Sequence, residues 1–235
     1  MKGPQVPAKD DSTAVVAGIG GGGRLSDLAY TRILETLFER KIPAGAFLSQ
    51  NDLVKLLGIP VAPLRDALKV LETEGVLTIH PRSGIQFVKP GLELTRSTYQ
   101  YRTILEKAAV AVYAETADDA DLAEIERRHR ELMEAIETNG LSDETKAELE
   151  ALEQLLHNAI IGSLANPLIA TSYKRMHNYL RLLRLDRKLT APIALRSIRE
   201  HMEIILACKA RDPDKAVAAL SAHFNAALQR HMGMY

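Results

Sequence analysis

A single cysteine in 235 residues leaves no partner for an internal disulfide, and Cys208 on its own fits a reducing compartment. No apolar run is long enough to span a bilayer, and the N-terminus lacks the apolar core of a secretory signal. The expectation is a cytoplasmic protein without a membrane partner. Net charge is zero, so no field of one sign draws the chain to nucleic acid or to an acidic surface. Even residues 24–90 carry only nine Lys or Arg against seven Asp or Glu. Any case for a nucleic-acid partner therefore has to come from pattern and placement. Residues 92–235 hold almost no strand-type alternation, and there is no internal repeat. The length fits one or two domains, with enough chain to bury a core.

What is present concentrates in residues 42–88. Ser49 precedes Asp52 at capping-box spacing, and Leu53, Leu56 and Leu57 follow at the helical period. Gly58 and Pro60 stop that helix. A second helix carries Leu64, Leu68 and Leu71 on one face and ends at Gly75. Two β-prone runs, residues 76–80 and 85–88, flank the turn-forming Pro81-Arg82-Ser83-Gly84. Helix, turn, helix and hairpin predict a winged helix-turn-helix, with its second helix set in the DNA major groove.

The chain divides into three. Residues 1–23 are rich in Gly, Pro and small polar residues and end in Gly20-Gly21-Gly22-Gly23. A phosphate-cradling loop would need a strand before it and Lys-Ser or Lys-Thr after it, so a flexible tail is expected. Residues 24–90 form the winged helix, opened by an amphipathic helix over about 25–40. Residues 91–235 read as six helices, at about 93–116, 118–138, 143–164, 167–187, 191–210 and 213–232. The predicted fold class is mainly α, an N-terminal winged helix-turn-helix followed by an antiparallel six-helix bundle.

The first half resembles the GntR family of bacterial transcription regulators. The matching residues are Ile42-Pro43-x-Gly45, Leu48-Ser49-x-x-Asp52-Leu53, Leu56-Leu57-Gly58, Pro63-Leu64-Arg65-Asp66-Ala67-Leu68, Leu71-Glu72-x-Glu74-Gly75 and Pro81-Arg82-x-Gly84-Ile85-x-x-Val88. The second half resembles the FCD effector-binding and dimerisation domain of that family's FadR-like branch. It opens on Tyr101-Arg102-x-x-Leu105-Glu106-x-x-Ala109 and continues with Glu153-x-x-x-His157, Asn166-Pro167-Leu168, Glu200-His201 and Ala222-His223. The resemblance implies a homodimeric, metabolite-responsive repressor that binds a roughly palindromic operator in double-stranded DNA.

The same resemblance assigns a divalent metal to Glu153, His157, His201 and His223, with Glu in place of the usual Asp. Glu150 is a possible substitute ligand. Glu153 and His157, four residues apart, share one helix face. Three imidazoles and a carboxylate suit zinc first, with nickel, iron or manganese as alternatives. A small carboxylate-bearing metabolite could then bind the metal, with Arg102 as its bidentate partner; alternatively Arg102 pairs with Glu106 at i+4. At the start of the recognition helix, Pro60-Val61-Ala62 replaces the family's Ser-Arg-Thr. Base reading then falls to Arg65, unless it only braces Asp66. Asn51, Lys55 and the wing residues His80, Arg82, Ser83 and Gly84 complete the expected DNA contacts. Two other functions are compatible with the pattern: a helical half that only dimerises, and a metal-dependent enzyme. The enzyme reading is disfavoured because no second Glu-x-x-His pair is present.

Overall fold

The computed structural model describes residues 21–185 and 189–233. It forms two compact units: one runs up to Lys41 and includes Ala46–Phe87, the other holds Ile42–Gly45 and the chain from Val88 onward. Most of the segment read as a tail lies outside the described residues. Helix α1 (Gly21–Phe38) nevertheless begins inside it, so helix formation starts ahead of the boundary expected at residue 24.

In the first unit α1 precedes β1 (Phe47–Leu48), α2 (Gln50–Leu57), α3 (Val61–Thr73), β2 (Leu77–His80) and β3 (Gly84–Phe87). The capping box is formed: Ser49 Oγ accepts from the Asp52 amide at 3.1 Å, and Asp52 Oδ2 accepts from the Ser49 amide at 3.1 Å. Gly58 closes α2 in the left-handed region at φ 66°, the conformation glycine adopts without strain. Leu53, Leu57, Leu64, Ala67, Leu68 and Leu71 are buried. Leu56 was expected on that stripe but is 48 % exposed, because α2 is short and turns only its Leu53–Leu57 side inward.

The sheet order is β1-β3-β2, all antiparallel. Strand β1 was not expected. It lies across Gly84, where a Cβ would come within 2.8 Å of both the Leu48 carbonyl oxygen and the Phe47 ring. Glycine at this position is thus a packing requirement of the wing.

Among the described residues the second unit forms six helices: α4 (Leu92–Thr116), α5 (Asp119–Asn139), α6 (Asp143–Gly162), α7 (Pro167–Leu185), α8 (Ala191–Lys209) and α9 (Pro213–His231). Four of them, α5, α6, α7 and α9, start at side-chain caps, whereas α4 and α8 have none among the described residues. Asp118 accepts from the Ala120 and Asp121 amides, Ser142 from Thr145, Asn166 from Leu168 and Ile169, and Asp212 from Lys215. Helix α4 packs against α6, α7, α8 and α9, and α5 against α6 and α8. One apolar core runs through the unit, with Tyr99, Val110, Leu122, Leu156, Ile205 and Phe224 among its members. Buried polar side chains, among them Arg102, Glu106, His129, Glu153, His157, His201 and His223, interrupt that core.

Candidate metal centre and nucleic-acid interface

Glu153 and His157 on α6, His201 on α8 and His223 on α9 meet inside the helical unit. One ligand atom from each lies within 4.8 Å of all the others, and all four residues are buried. Glu153 Oε1 is 3.6 Å from His157 Nε2, and Glu153 Oε2 is 3.4 Å from His201 Nε2. A metal held at about 2.1 Å by four tetrahedral donors would set them about 3.4 Å apart. Two of the donor separations already stand near that spacing, and the others, up to 4.8 Å, would contract as the set closed on an ion.

Each of the three imidazoles spends its Nδ1 on a neighbour. His157 Nδ1 donates to Glu106 Oε2 at 2.5 Å, and His223 Nδ1 to Glu200 Oε2 at 2.9 Å. His201 Nδ1 lies 3.2 Å from Nε2 of a fourth histidine, His129. All three Nε2 atoms are buried with no hydrogen-bond partner among the described residues. Buried polar atoms are rarely left unpaired. Three such atoms facing one carboxylate fit a metal, and the Nδ1 contacts fit the outer partners that orient metal-bound histidines.

The charges are matched in pairs. Arg102 Nε binds Glu106 at 2.7 Å, Arg184 binds Glu153 at 2.5 Å, and Arg230 clamps Glu200 through both terminal nitrogens at 2.5 and 2.7 Å. Burial alone would raise the Glu106 pKa, but Arg102 and His157 outweigh it and hold that carboxyl at about 2. At Glu200 burial likewise raises the pKa, but the bonds from Arg230 and His223 outweigh it and bring it to about 2. Burial lowers His157, His201 and His223 below the usual imidazole range, so their Nε2 lone pairs are free at neutral pH.

Glu150 is not part of the cluster. It pairs with Arg181 at 3.3 Å, on the side of α6 turned towards α7. Arg102 makes the i+4 ion pair with Glu106, while its Nη2 is buried without a partner among the described residues. Sequence reasoning saw Glu106 only as that pair and Glu200 only as the neighbour of His201, and passed over His129, Arg184 and Arg230 altogether. It also missed two residues on one face of α7. Tyr173 donates to Glu106 at 2.8 Å, and His177, one turn on, has a buried Nε2 without a partner among the described residues.

These shifts predict the acid response of the metal-stripped protein. Burial and His201 hold His129 at about 4, and burial with Arg184 and Arg102 holds His177 at about 4, against an unfolded value of 6.5. Between those values the unfolded chain binds more protons. Stability is therefore full above pH 6.5 and falls as pH drops towards 4, by about 1.4 kcal/mol per pH unit for the fully buried His129. Below about pH 4.5 the stabilisation from Glu106 and Glu200 is lost as well. Urea midpoints in chelator should stay level above about pH 6.5 and drop steadily from there to pH 4.5, and a flat profile between 6.5 and 4.5 would contradict these environments.

In the winged unit Asn51, Lys55, Arg65, Arg82 and Ser83 are exposed, while His80 and Gly84 are half-buried. Arg65 and its neighbour Asp66 are both exposed on α3. Val61, 41 % exposed in the first turn of α3, offers only an apolar surface. His80 Nε2 bonds Gln86 Oε1 across the hairpin at 3.1 Å, and its ring lies 5.7 Å from that of Phe47, which stiffens the wing beside Arg82. No described helix is long and apolar enough to cross a membrane.

Comparison with known proteins agrees with both halves. Residues 25–87 match the model of bacterial regulatory proteins of the gntR family, and residues 97–226 match the FCD domain. The HTH-type transcriptional regulator YdhC of Bacillus subtilis (strain 168) is 24 % identical over 196 residues, covering 83 % of this chain and 86 % of that protein. Among solved structures, E. coli McbR/YncC superposes with a TM-score of 0.70 at 21 % identity, covering 90 % of this chain and 98 % of that one. A protein from Rhodococcus sp. RHA1, described as a GntR transcriptional regulator, gives 0.72 at 20 % identity, covering 91 % and 99 %. The metal-free FCD domain of TM0439 gives 0.51 at 19 % identity, covering 62 % and 96 %. These relatives are transcription regulators, not enzymes. The chain belongs to the GntR family of DNA-binding bacterial transcription regulators and carries the FCD domain as its helical half.

Proposed function

We propose that this regulator is a homodimeric repressor whose helical half holds a divalent metal on Glu153, His157, His201 and His223 and senses a small organic acid there. The observation that carries this reading is the set of three buried, partnerless Nε2 atoms around one carboxylate. A helical half that served only for dimerisation would leave each of them unsatisfied, at a cost of about 1–3 kcal/mol apiece. Three imidazoles and one carboxylate favour zinc, with nickel, iron or manganese as alternatives. The relative whose FCD domain is described as metal-free suits a domain that can be stripped of its ion. Bound there, the ion would supply coordination positions open to a carboxylate.

Electrostatics supports an anionic effector. Glu106, Glu153 and Glu200 are each matched by an arginine, so a divalent cation would add two uncompensated positive charges to a buried site. An organic acid would offset them, and Arg102 Nη2, without a partner among the described residues, is a donor for its remaining oxygens, as is His177 Nε2 in the tautomer that carries its proton there. Effector occupancy can shift the dimer away from its DNA-competent arrangement only by its difference in affinity for the two arrangements. We take release from a roughly palindromic operator as the direction of the response.

On DNA, Arg65 reads base edges, while Asn51, Lys55, Arg82 and Ser83 hold phosphates beside the wing residues His80 and Gly84. Val61 can offer no more than contact with a thymine methyl, so operator preference differs from that of relatives with Arg at this position. Fluorescence anisotropy on the DNA upstream of the protein's own gene, with scrambled competitor, tests both halves of the reading. Arg65→Ala should weaken operator binding by about 10–100-fold and scrambled-DNA binding far less. Citrate-like or sugar acids should release the metal-loaded protein and have no effect in chelator. Undiminished specificity of Arg65→Ala would remove the assignment to Arg65, and release that ignores chelator would remove the metal.

A further inference from the structure

Two of the three histidines at the centre are oriented by carboxylates, His157 by Glu106 and His223 by Glu200. The third, His201, is oriented by another imidazole. His129 occupies the buried stripe of α5 formed by Leu122, Ile125, Leu132 and Ile136, and is itself 0 % exposed. A leucine would complete that stripe at lower cost, because a polar ring placed there must find partners. Both of its nitrogens do.

We infer that His129 is a positioning residue of the candidate centre, fixing His201 in the tautomer whose bare Nε2 faces Glu153, His157 and His223. The inference rests on the metal reading proposed above for its consequence, but its geometry stands on hydrogen bonding alone. His129 Nδ1 is 2.7 Å from the Ile125 carbonyl oxygen, which can only accept, so the proton sits on Nδ1. In the neutral ring Nε2 is then a bare lone pair and must accept. The group opposite it is His201 Nδ1 at 3.2 Å, with the two rings at 69° and their centroids 5.4 Å apart. His201 therefore carries its proton on Nδ1 and leaves Nε2 unprotonated. That is the buried Nε2 without a hydrogen bond, 3.4 Å from Glu153 Oε2. The opposite tautomer would set two lone pairs against each other inside the core.

An imidazole does here what a carboxylate does for His157 and His223, without adding a fourth buried negative charge. The other three carboxylates around the centre each have an arginine. His201 is thereby oriented while the site's charge stays balanced, and a neutral acceptor makes it a weaker donor to the metal than its two carboxylate-supported neighbours.

Two measurements on the full chain test this. Long-range nitrogen–proton spectra of the metal-stripped wild type should show both His129 and His201 protonated on Nδ1. Cobalt(II) is then loaded in competition with a chelator and its visible absorption recorded, for wild type, His129→Phe and His129→Gln. His129→Phe fills the space without an acceptor and should weaken cobalt binding by about 10–100-fold, with a shifted spectrum. His129→Gln keeps an acceptor where Nε2 stood and should recover most of the affinity. Melting of the stripped variants, with His129→Phe at least as stable as wild type, excludes unfolding as the cause. An Nε2-protonated His201 would overturn the inference, as would a His129→Phe protein that binds cobalt like wild type with the same spectrum. A wild type that takes no cobalt while both imidazoles are Nδ1-protonated would remove the metal reading and leave the tautomer lock standing.

Discussion

Replacing His157 or His223 with Ala should abolish metal loading: purified variants should retain no stoichiometric metal after dialysis and lose affinity for cobalt on the order of a thousandfold or more. Loss of an outer-shell partner alone typically costs about 10–100-fold, and these residues would donate directly. The expectation follows from position. Each residue is at most 2 % exposed, each Nδ1 is held by a carboxylate, and each Nε2 is buried without a hydrogen-bond partner among the described residues. Thermal melting supplies an independent check. A metal that binds only the native state adds about 2.7 kcal/mol at a hundredfold excess over its dissociation constant, so chelator should lower the wild-type melting temperature and leave the variants unmoved. The variants should still bind operator DNA, because Arg65 and the wing belong to the other unit, but should no longer respond to organic acid. Metal content equal to wild type in both variants would sink the assignment.

The parts of this structure legible in the sequence are those written locally. The Ser49–Asp52 box, the left-handed Gly58 and the caps at Asp118, Ser142, Asn166 and Asp212 act over two to five residues, so helix starts could be read within a few positions. Strand β1 could not be read. Two residues cannot show a period, and Phe47–Leu48 is a strand only because β3, nearly forty residues on, offers Gln86 and Ile85 as partners. Leu56 looked like core because apolar spacing alone cannot say how much of a two-turn helix is covered.

At the centre, the His157 spacing and the family resemblance pointed to the four donors. The residues that orient them were hidden by distance. Glu106 lies 51 positions from His157, and His129 lies 72 from His201. A buried Glu or Arg also looks like any surface ion in a one-dimensional pattern. One signal was available: His129 breaks the otherwise apolar stripe of α5 at a core position. A polar residue there signals a partner across the interface.

Glu106→Ala should be the most destabilising single change in the helical unit, by about 3–5 kcal/mol in metal-stripped protein. Glu106 is fully buried and accepts from Arg102 Nε at 2.7 Å, Tyr173 Oη at 2.8 Å and His157 Nδ1 at 2.5 Å. Its removal leaves the Arg102 guanidinium, 1 % exposed, with only the 3.5 Å contact to Glu153, which Arg184 already occupies. The face of Phe224, 4.5 Å from that guanidinium, offsets little of an unpaired buried charge. At roughly 2–4 °C per kcal/mol for a chain of this size, the melting temperature should fall by about 10 °C. Glu106→Gln keeps volume and an acceptor but not the charge, so its loss should be smaller. A Glu106→Ala protein within 1 kcal/mol of wild type would mean that Arg102 finds water or another anion when its partner is gone. The double variant Arg102→Leu, Glu106→Leu removes both charges and should recover much of the stability, since replacing a whole buried pair is often neutral. It should not recover metal affinity, because His157 Nδ1 would still have lost its acceptor. Stability restored without metal affinity would divide the roles of Glu106: matching Arg102 serves the fold, and its position one hydrogen bond from His157 serves the centre.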